Sequence, residues 1–147
     1  DVAAAYNCQI LLPKDVVVAV EFKLGAAHRL ASSDDVADGE MILDAGAESV
    51  AAATAFLDRC STIVWNGPMG AFEIPPFDAA TTALACAVAA KTQRDGLMSV
   101  AGGGDTMAAL ANAGVNDQFS YVSTAGGAFL EWLEGKRLPG VEALRID

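Results

Sequence analysis

The run Val100-Ala101-Gly102-Gly103-Gly104-Asp105-Thr106 joins an apolar, strand-like segment to a helical pattern through three consecutive glycines. Without Cβ atoms, glycines let an anion approach the backbone closely. The first N–H groups of the helix that follows lack intrahelical acceptors and sit at the positive end of its dipole. Asp105 has two candidate tasks there, capping those N–H groups or holding a divalent metal beside a phosphate. A single junction of this kind also describes an ordinary strand-to-helix turn, but this chain has three. Thr62-Ile63-Val64-Trp65 stops at Asn66-Gly67-Pro68, and Tyr121-Val122-Ser123 passes through Thr124-Ala125-Gly126-Gly127 into a helical pattern with Phe129, Leu130 and Leu133. Ligands of open parallel sheets bind beyond the carboxyl ends of the strands, so three glycine-bearing ends predict one crevice. Neither a P-loop lysine nor a G-x-G-x-x-G fingerprint accompanies them, which sets aside the common NTPase and dinucleotide signatures.

Apolar runs at Ile10 to Leu12, Val16 to Val20, Met41 to Leu43, Ile63 to Trp65, Met98 to Ala101 and Tyr121 to Ser123 predict strands. Several do not alternate with polar residues and are expected to be buried on both faces. Between the later ones lie helical faces: Val50, Ala53, Thr54 and Leu57; Phe77, Ala80, Leu84 and Val88, with Pro75 and Pro76 ahead of them; and Met107, Leu110 and Ala111, ending at Gly114. Strand-then-helix alternation implies an α/β fold whose parallel strands are joined by right-handed crossovers. Glu21 to Glu40 fits neither period and reads as a surface loop with at most one short element, while Asp1 to Asn7 reads as the tail of a helix. Trp65, Phe72, Phe77 and Trp132 read as packing rather than as groups that stack on a base.

With 147 residues and 53% apolar content the chain is long enough for a real core, yet no apolar run approaches the eighteen or so residues that span a bilayer. No basic region precedes an apolar stretch at the amino terminus, so no signal peptide is visible. Cys8, Cys60 and Cys86 are widely spaced and odd in number, and they read as reduced, partly buried thiols of a cytoplasmic protein. Nine Lys and Arg face 19 Asp and Glu, and the basic residues are scattered, which argues against a nucleic-acid partner. His28 lacks aligned serine or cysteine partners and reads as a surface histidine.

Four motifs in order and spacing closely resemble the carboxyl-terminal, nucleotide-binding domain of phosphoglycerate kinases. They are Val64-Trp65-Asn66-Gly67-Pro68-Met69-Gly70-Ala71-Phe72-Glu73, Gly102-Gly103-Gly104-Asp105-Thr106, Ser123-Thr124-Ala125-Gly126-Gly127-Ala128, and Leu133-Glu134-Gly135-Lys136 with Leu138-Pro139-Gly140-Val141. The resemblance starts near Ile10, includes Leu43-Asp44-Ala45-Gly46, and has a bacterial flavour at Val20-Glu21-Phe22-Lys23. It implies a Rossmann-like three-layer α/β fold with a parallel sheet, present here as a partial domain over residues 1–147. It further implies that Asn66, Gly67 and Pro68 line a pocket for ATP or ADP and that Glu73 accepts hydrogen bonds from the ribose. Gly103, Gly104, Asp105 and Thr106 would hold the phosphates, with Mg2+ on Asp105, Gly126 would belong to the nucleotide-binding set, and Gly104 and Gly127 would offer N–H groups to the transferring phosphoryl oxygens. Three positions depart from the family pattern: Ala125 where glycine is usual, Phe129 where serine is common, and Ala47 where proline is usual. None removes a named ligand.

The resemblance also implies what the chain does not contain. The family's amino-terminal lobe, which binds 3-phosphoglycerate through a basic patch, is absent, as is a Gly-Gly-Ala-Lys strand end whose lysine reaches the phosphates. The chain therefore reads as a carboxyl-terminal fragment of a usually monomeric, cytoplasmic enzyme that binds no membrane, and one inactive alone. A non-catalytic remnant or interaction domain is the alternative; a generic Rossmann oxidoreductase is disfavoured by the missing fingerprint. An incomplete sheet is expected to expose a strand edge and an apolar helix-docking face.

Overall fold

The computed structural model describes residues 2–145; Asp1, Ile146 and Asp147 lie outside the described residues. It is an α/β protein organised as two compact units, Asp1–Arg59 with Met69–Leu84, and Cys60–Pro68 with Ala85–Asp147.

The first unit holds a short helix α1 (Val2–Ala5), three strands, β1 (Asp15–Ala19), β2 (His28–Ser32) and β3 (Met41–Ala45), then helix α2 (Ala47–Leu57) and the start of helix α3 (Ala79–Asp95). Its sheet runs in the order β2-β1-β3 and is antiparallel throughout. The parallel arrangement read from the sequence does not extend to these strands. The segment read as a loop contains β2, an edge strand whose only buried residue is Ala31, so it has no apolar alternation to betray it. A bidentate pair from Arg29 to Glu40, at 2.8 and 2.7 Å, fastens β2 to the turn before β3. Ile10 to Leu12 forms no strand and is exposed, because no neighbouring strand pairs with it. Val16, Val18 and Ala31 form one buried cluster, and Ala19, Ala26, Leu43 and Phe77 another. Phe77, expected on a helix face, is fully buried ahead of α3 and meets the His28 ring edge-on at 5.8 Å.

Two buried carboxylates organise this unit. Asp15 Oδ1 accepts the Ser49 N–H at 2.7 Å and the Ser49 hydroxyl at 2.6 Å, while Oδ2 accepts the Glu48 N–H at 3.0 Å. The carboxylate thus caps the first turn of α2 from 33 to 34 residues away. Asp44 Oδ2 likewise accepts the Ala80 N–H at the start of α3, at 2.9 Å. Each carboxylate is roofed by a glycine: a Cβ on Gly46 would lie 2.1 Å from Asp15 Oδ2, and one on Gly70 would lie 2.2 Å from Asp44 Oδ1. Burial alone would raise the pKa of Asp15, but the Ser49 hydroxyl and the Glu48 and Ser49 N–H groups outweigh it and hold the carboxyl below its ordinary value. At Asp44 burial wins over the hydrogen bonds from Ala80 and Ala45, and the pKa is raised.

The second unit contains β4 (Thr62–Asn66), the rest of α3, β5 (Met98–Gly102), α4 (Gly104–Asn112), a 3-10 turn (Asn116–Gln118), β6 (Tyr121–Ser123), α5 (Gly126–Leu133) and α6 (Pro139–Glu142). Its strands run parallel in the order β4-β5-β6, as part of a Rossmann-like fold. The Thr92 hydroxyl on α3 donates to Ser99 Oγ at 2.8 Å, and Ser99 and Ser120 exchange two backbone-to-hydroxyl bonds at 3.0 Å that dock the short β6. The face bearing Trp65, Ser99 and Ala101 is buried. On the opposite face the Phe129 ring of α5 lies against Gly102, whereas Val64, Met98 and Tyr121 remain 42%, 57% and 61% exposed. A parallel sheet is ordinarily covered on both faces, so this one is a partial domain. Trp132 does not pack as expected but is 58% exposed. Cys8 and Cys86 are exposed rather than partly buried, and Cys60 is half-buried. No helix among the described residues is long and apolar enough to cross a membrane.

Asp15→Asn is expected to lower stability at pH 7 by about 1–2 kcal/mol, the worth of an N-cap. Because the Asp15 pKa is depressed in the folded chain, its contribution is complete above the unfolded value near 4 and is lost as pH falls through the native value. Urea unfolding at pH 7, 5 and 3 should therefore show the gap between the two proteins closing at the acid end. The bare sheet face predicts an apparent mass that rises with concentration in static light scattering; a stable monomer at high concentration would contradict it.

Candidate functional site

In-register pairing sets Asn66 beside Gly102 and Gly102 beside Ser123, so the carboxyl ends of all three parallel strands stand in one row. The chain turns into α4 at Gly103, whose φ of 101° and ψ of 147° a side chain would strain, and Gly103 N–H extends the ladder to the Ser123 carbonyl at 3.1 Å. A Cβ on Gly126, the first residue of α5, would lie 2.7 Å from Gly103 Cα. The starts of α4 and α5 are therefore in backbone contact, and only glycine at 126 permits it.

The turn after β4 is clamped from both sides. Gly67 N–H donates to the buried Thr106 hydroxyl at 2.8 Å, and the Trp65 indole N–H donates to the Gly67 carbonyl at 2.6 Å. Thr106 on α4 thus fixes the height of the Asn66-Gly67-Pro68 turn. Asn66 Oδ1 in turn lies 3.5 Å from where a Gly103 Cβ would stand.

Neither helix is capped by a side chain. The first intrahelical bond of α4 runs from Met107 N–H to the Gly103 carbonyl, and that of α5 from Phe129 N–H to the Ala125 carbonyl, both at 3.0 Å. The N–H groups of Gly104, Asp105 and Thr106, and of Gly126, Gly127 and Ala128, precede those bonds. Asp105 does not cap α4, which corrects one of its two expected tasks. Its side chain is exposed in the first helical turn, where it remains available to a cation. No cluster of three or more His, Cys, Asp or Glu among the described residues is arranged to hold a metal, so a cation here would need phosphate and water for most of its shell.

Of the residues named from the sequence, Asn66, Gly67, Pro68, Gly103, Gly104, Asp105, Thr106, Gly126 and Gly127 all lie in the second unit, at the row of strand ends. Glu73 belongs to the first unit, exposed in the segment ahead of α3. A Cβ on Gly104 or on Gly127 would meet nothing within 4 Å. Sequence reasoning missed that Thr106 and Trp65 hold the β4 turn, and it missed the caps Asp15 and Asp44. Aspartate is depleted in strands, and its presence in β1 and β3 was the available signal.

The phosphoglycerate kinase family model matches residues 1–136. This chain belongs to the phosphoglycerate kinase family. The phosphoglycerate kinase of Xanthobacter autotrophicus is 65% identical over 143 residues, 97% of this chain and 36% of that protein. That of Azorhizobium caulinodans is 62% identical over 143 residues, with the same coverage. Among solved structures, phosphoglycerate kinase from Coxiella burnetii superposes with a TM-score of 0.87 at 48% identity, over 95% of this chain and 35% of that one. The enzyme from Pyrococcus horikoshii OT3 gives 0.73 at 28% identity, over 90% and 31%. The chain thus spans about a third of the length of the kinases it matches.

Gly126→Ala should force α5 off the β5-to-α4 turn and cost about 1–3 kcal/mol in urea unfolding, the usual penalty for overpacking. Gly127→Ala, which meets nothing within 4 Å, should stay within about 0.5 kcal/mol of the parent. Equal losses in the two variants would show that the Gly103 contact does not hold the helices together.

Proposed function

We propose that this chain supplies the magnesium-nucleotide half-site of a bacterial, cytoplasmic phosphoglycerate kinase, as the partial carboxyl-terminal nucleotide-binding domain. The reaction is reversible phosphoryl transfer between ATP and 3-phosphoglycerate, giving ADP and 1,3-bisphosphoglycerate, a step of glycolysis. The reading rests on one observation above others: two uncapped helix N-termini meet at Gly103 and Gly126, beside an exposed carboxylate. Phosphoryl transfer asks mainly for positioning and charge stabilisation, which fixed N–H dipoles supply without reorganising.

The N–H groups of Gly104, Asp105 and Thr106 face the nucleotide phosphates, and those of Gly104 and Gly127 face the oxygens of the transferring group; Gly103, whose own N–H is paired with the Ser123 carbonyl, contributes the close approach of its backbone. Gly126 contributes by leaving room for the approach of α5, and the Thr106 hydroxyl by holding the turn. Asn66, Gly67 and Pro68 line the base side of the pocket, and Glu73 accepts the ribose hydroxyls. Asp105 fits Mg2+, which is commonly held by one or two carboxylates together with phosphate oxygens, and the ion neutralises phosphate charge when bound. The triose substrate would be held by the amino-terminal lobe of the family, within a monomer.

None of the nine Lys and Arg lies within the three glycine junctions, and the net charge is -10. A helix N-terminus contributes about 0.3–1 kcal/mol toward an anion, up to about 2 when partly buried. Millimolar affinity already needs about 4 kcal/mol. The chain alone should accordingly bind Mg-ADP no more tightly than about 1 mM in calorimetry, weaker still as Asp105→Ala, and should show no turnover in a coupled assay. Adding the separately expressed amino-terminal part of a relative should restore activity. Micromolar affinity, or turnover without that part, would overturn the reading.

A further inference from the structure

The motif Leu133-Glu134-Gly135-Lys136 with Leu138-Pro139-Gly140-Val141 has no part in the nucleotide half-site, yet it builds a second concavity. Helix α5 ends in a Schellman turn: Gly135, at φ 81°, donates its N–H to the Trp132 carbonyl at 2.9 Å, and Lys136 N–H reaches back to the Glu131 carbonyl at 3.0 Å. That reversal brings Lys136, Arg137 and Leu138 to the same cavity as Trp132, and Val141 of α6 and Arg145, three residues past its end, complete the lining. Together they line a cavity of about 310 Å³.

Its chemistry is unlike the rest of the surface. Lys136, Arg137 and Arg145 are three of the nine basic residues in a chain of net charge -10, and all three face one cavity. The negative end of α5 accounts for a cation beside it, but not for three around an exposed indole. Lys136 pairs with Glu134 at 2.7 Å and Arg145 with Glu142 at 3.2 Å, both in the open. Such exposed pairs are worth about 0–1 kcal/mol, so an incoming anion displaces them at little cost. Arg137 has no hydrogen-bond or ion-pair partner among the described residues. Its guanidinium offers a planar fork suited to carboxylate or phosphate oxygens. Trp132, Leu138 and Val141 add apolar and aromatic surface to the lining, and its one carboxylate, Glu142, is the partner of Arg145.

We propose that this concavity is a binding site for a small organic anion, one that joins a phosphate or carboxylate group to a planar or apolar body. The volume lies at the small end of ligand sites, roughly 300–1,000 Å³, and so selects a monophosphate ester or aromatic acid over a whole nucleotide. The inference is independent of the nucleotide reading, because none of these residues serves that site.

Trp132 reports on the site directly. The two indole N–H resonances separate a buried Trp65 from an exposed Trp132 and are assigned through Trp132→Phe. Titration of the chain with phenyl phosphate at constant ionic strength should move the Trp132 resonance along a saturating curve. Arg137→Ala should weaken binding by about tenfold, the effect of losing one hydrogen bond to a charged group, while an unshifted Trp65 resonance shows that the variant is folded. Inorganic phosphate should bind more weakly than phenyl phosphate. A linear, unsaturated shift, an unchanged midpoint in Arg137→Ala, or equal binding of inorganic phosphate would each overturn the proposal.

Discussion

Helices α2 to α5 pose the same electrostatic problem, a first turn of N–H groups with no partner inside the helix, and the structure answers it in two ways. At α2 and α3 the partner is a buried carboxylate brought from a strand, Asp15 for one and Asp44 for the other. At α4 and α5 no side chain answers, and the donors are left at the row of strand ends. The first arrangement ties a strand to a helix, and the second leaves the donors open. Because an anion stabilises a helix N-terminus whether it is an aspartate or a phosphate, the physics that serves folding at α2 and α3 is the one that the proposed site would use at α4 and α5.

Glycine separates the two outcomes. Gly46 and Gly70 give their carboxylates room against the backbone, since any Cβ there would collide with the capping oxygen. Gly103 and Gly126 instead bring two helix starts into contact with each other. The open donors then converge. The clamp on Gly67, held by Thr106 below and Trp65 beside it, adds the third strand end to that group and ties its height to α4. Positions that look like ligand contacts in sequence thus include some, Gly67, Thr106 and Gly126, that set the shape of the strand-end row.

The partial character of the fold bears on how much the site can do. Val64, Met98 and Tyr121 lie bare on a sheet face that parallel architectures cover, and the matched kinases are about three times as long. Two helix termini and one carboxylate are all that the proposed half-site would offer a polyphosphate, and none of the nine Lys and Arg lies within the glycine junctions. Positive charge is concentrated instead in the turn after α5 and just beyond α6, at Lys136, Arg137 and Arg145, which line a cavity with an indole.

Sequence alone determined the three glycine-bearing strand ends and the family, because these reside in local signals: apolar runs of strand length, glycines where the backbone must turn, and motifs of fixed spacing. It also placed α2 through its face of Val50, Ala53, Thr54 and Leu57, and the caps were hinted at by aspartates in strand positions. It did not reveal β2, whose single buried residue leaves no period to read, nor the antiparallel pairing of β1 with β2 and β3, nor the exposure of Trp132. Only the tertiary structure decided that Asp105 leaves α4 uncapped, that Thr106 spends its hydroxyl on Gly67, and that Gly126 is needed for packing. Those outcomes depend on which atoms meet across 20 to 40 residues of chain, and composition and periodicity carry no information about distance in space.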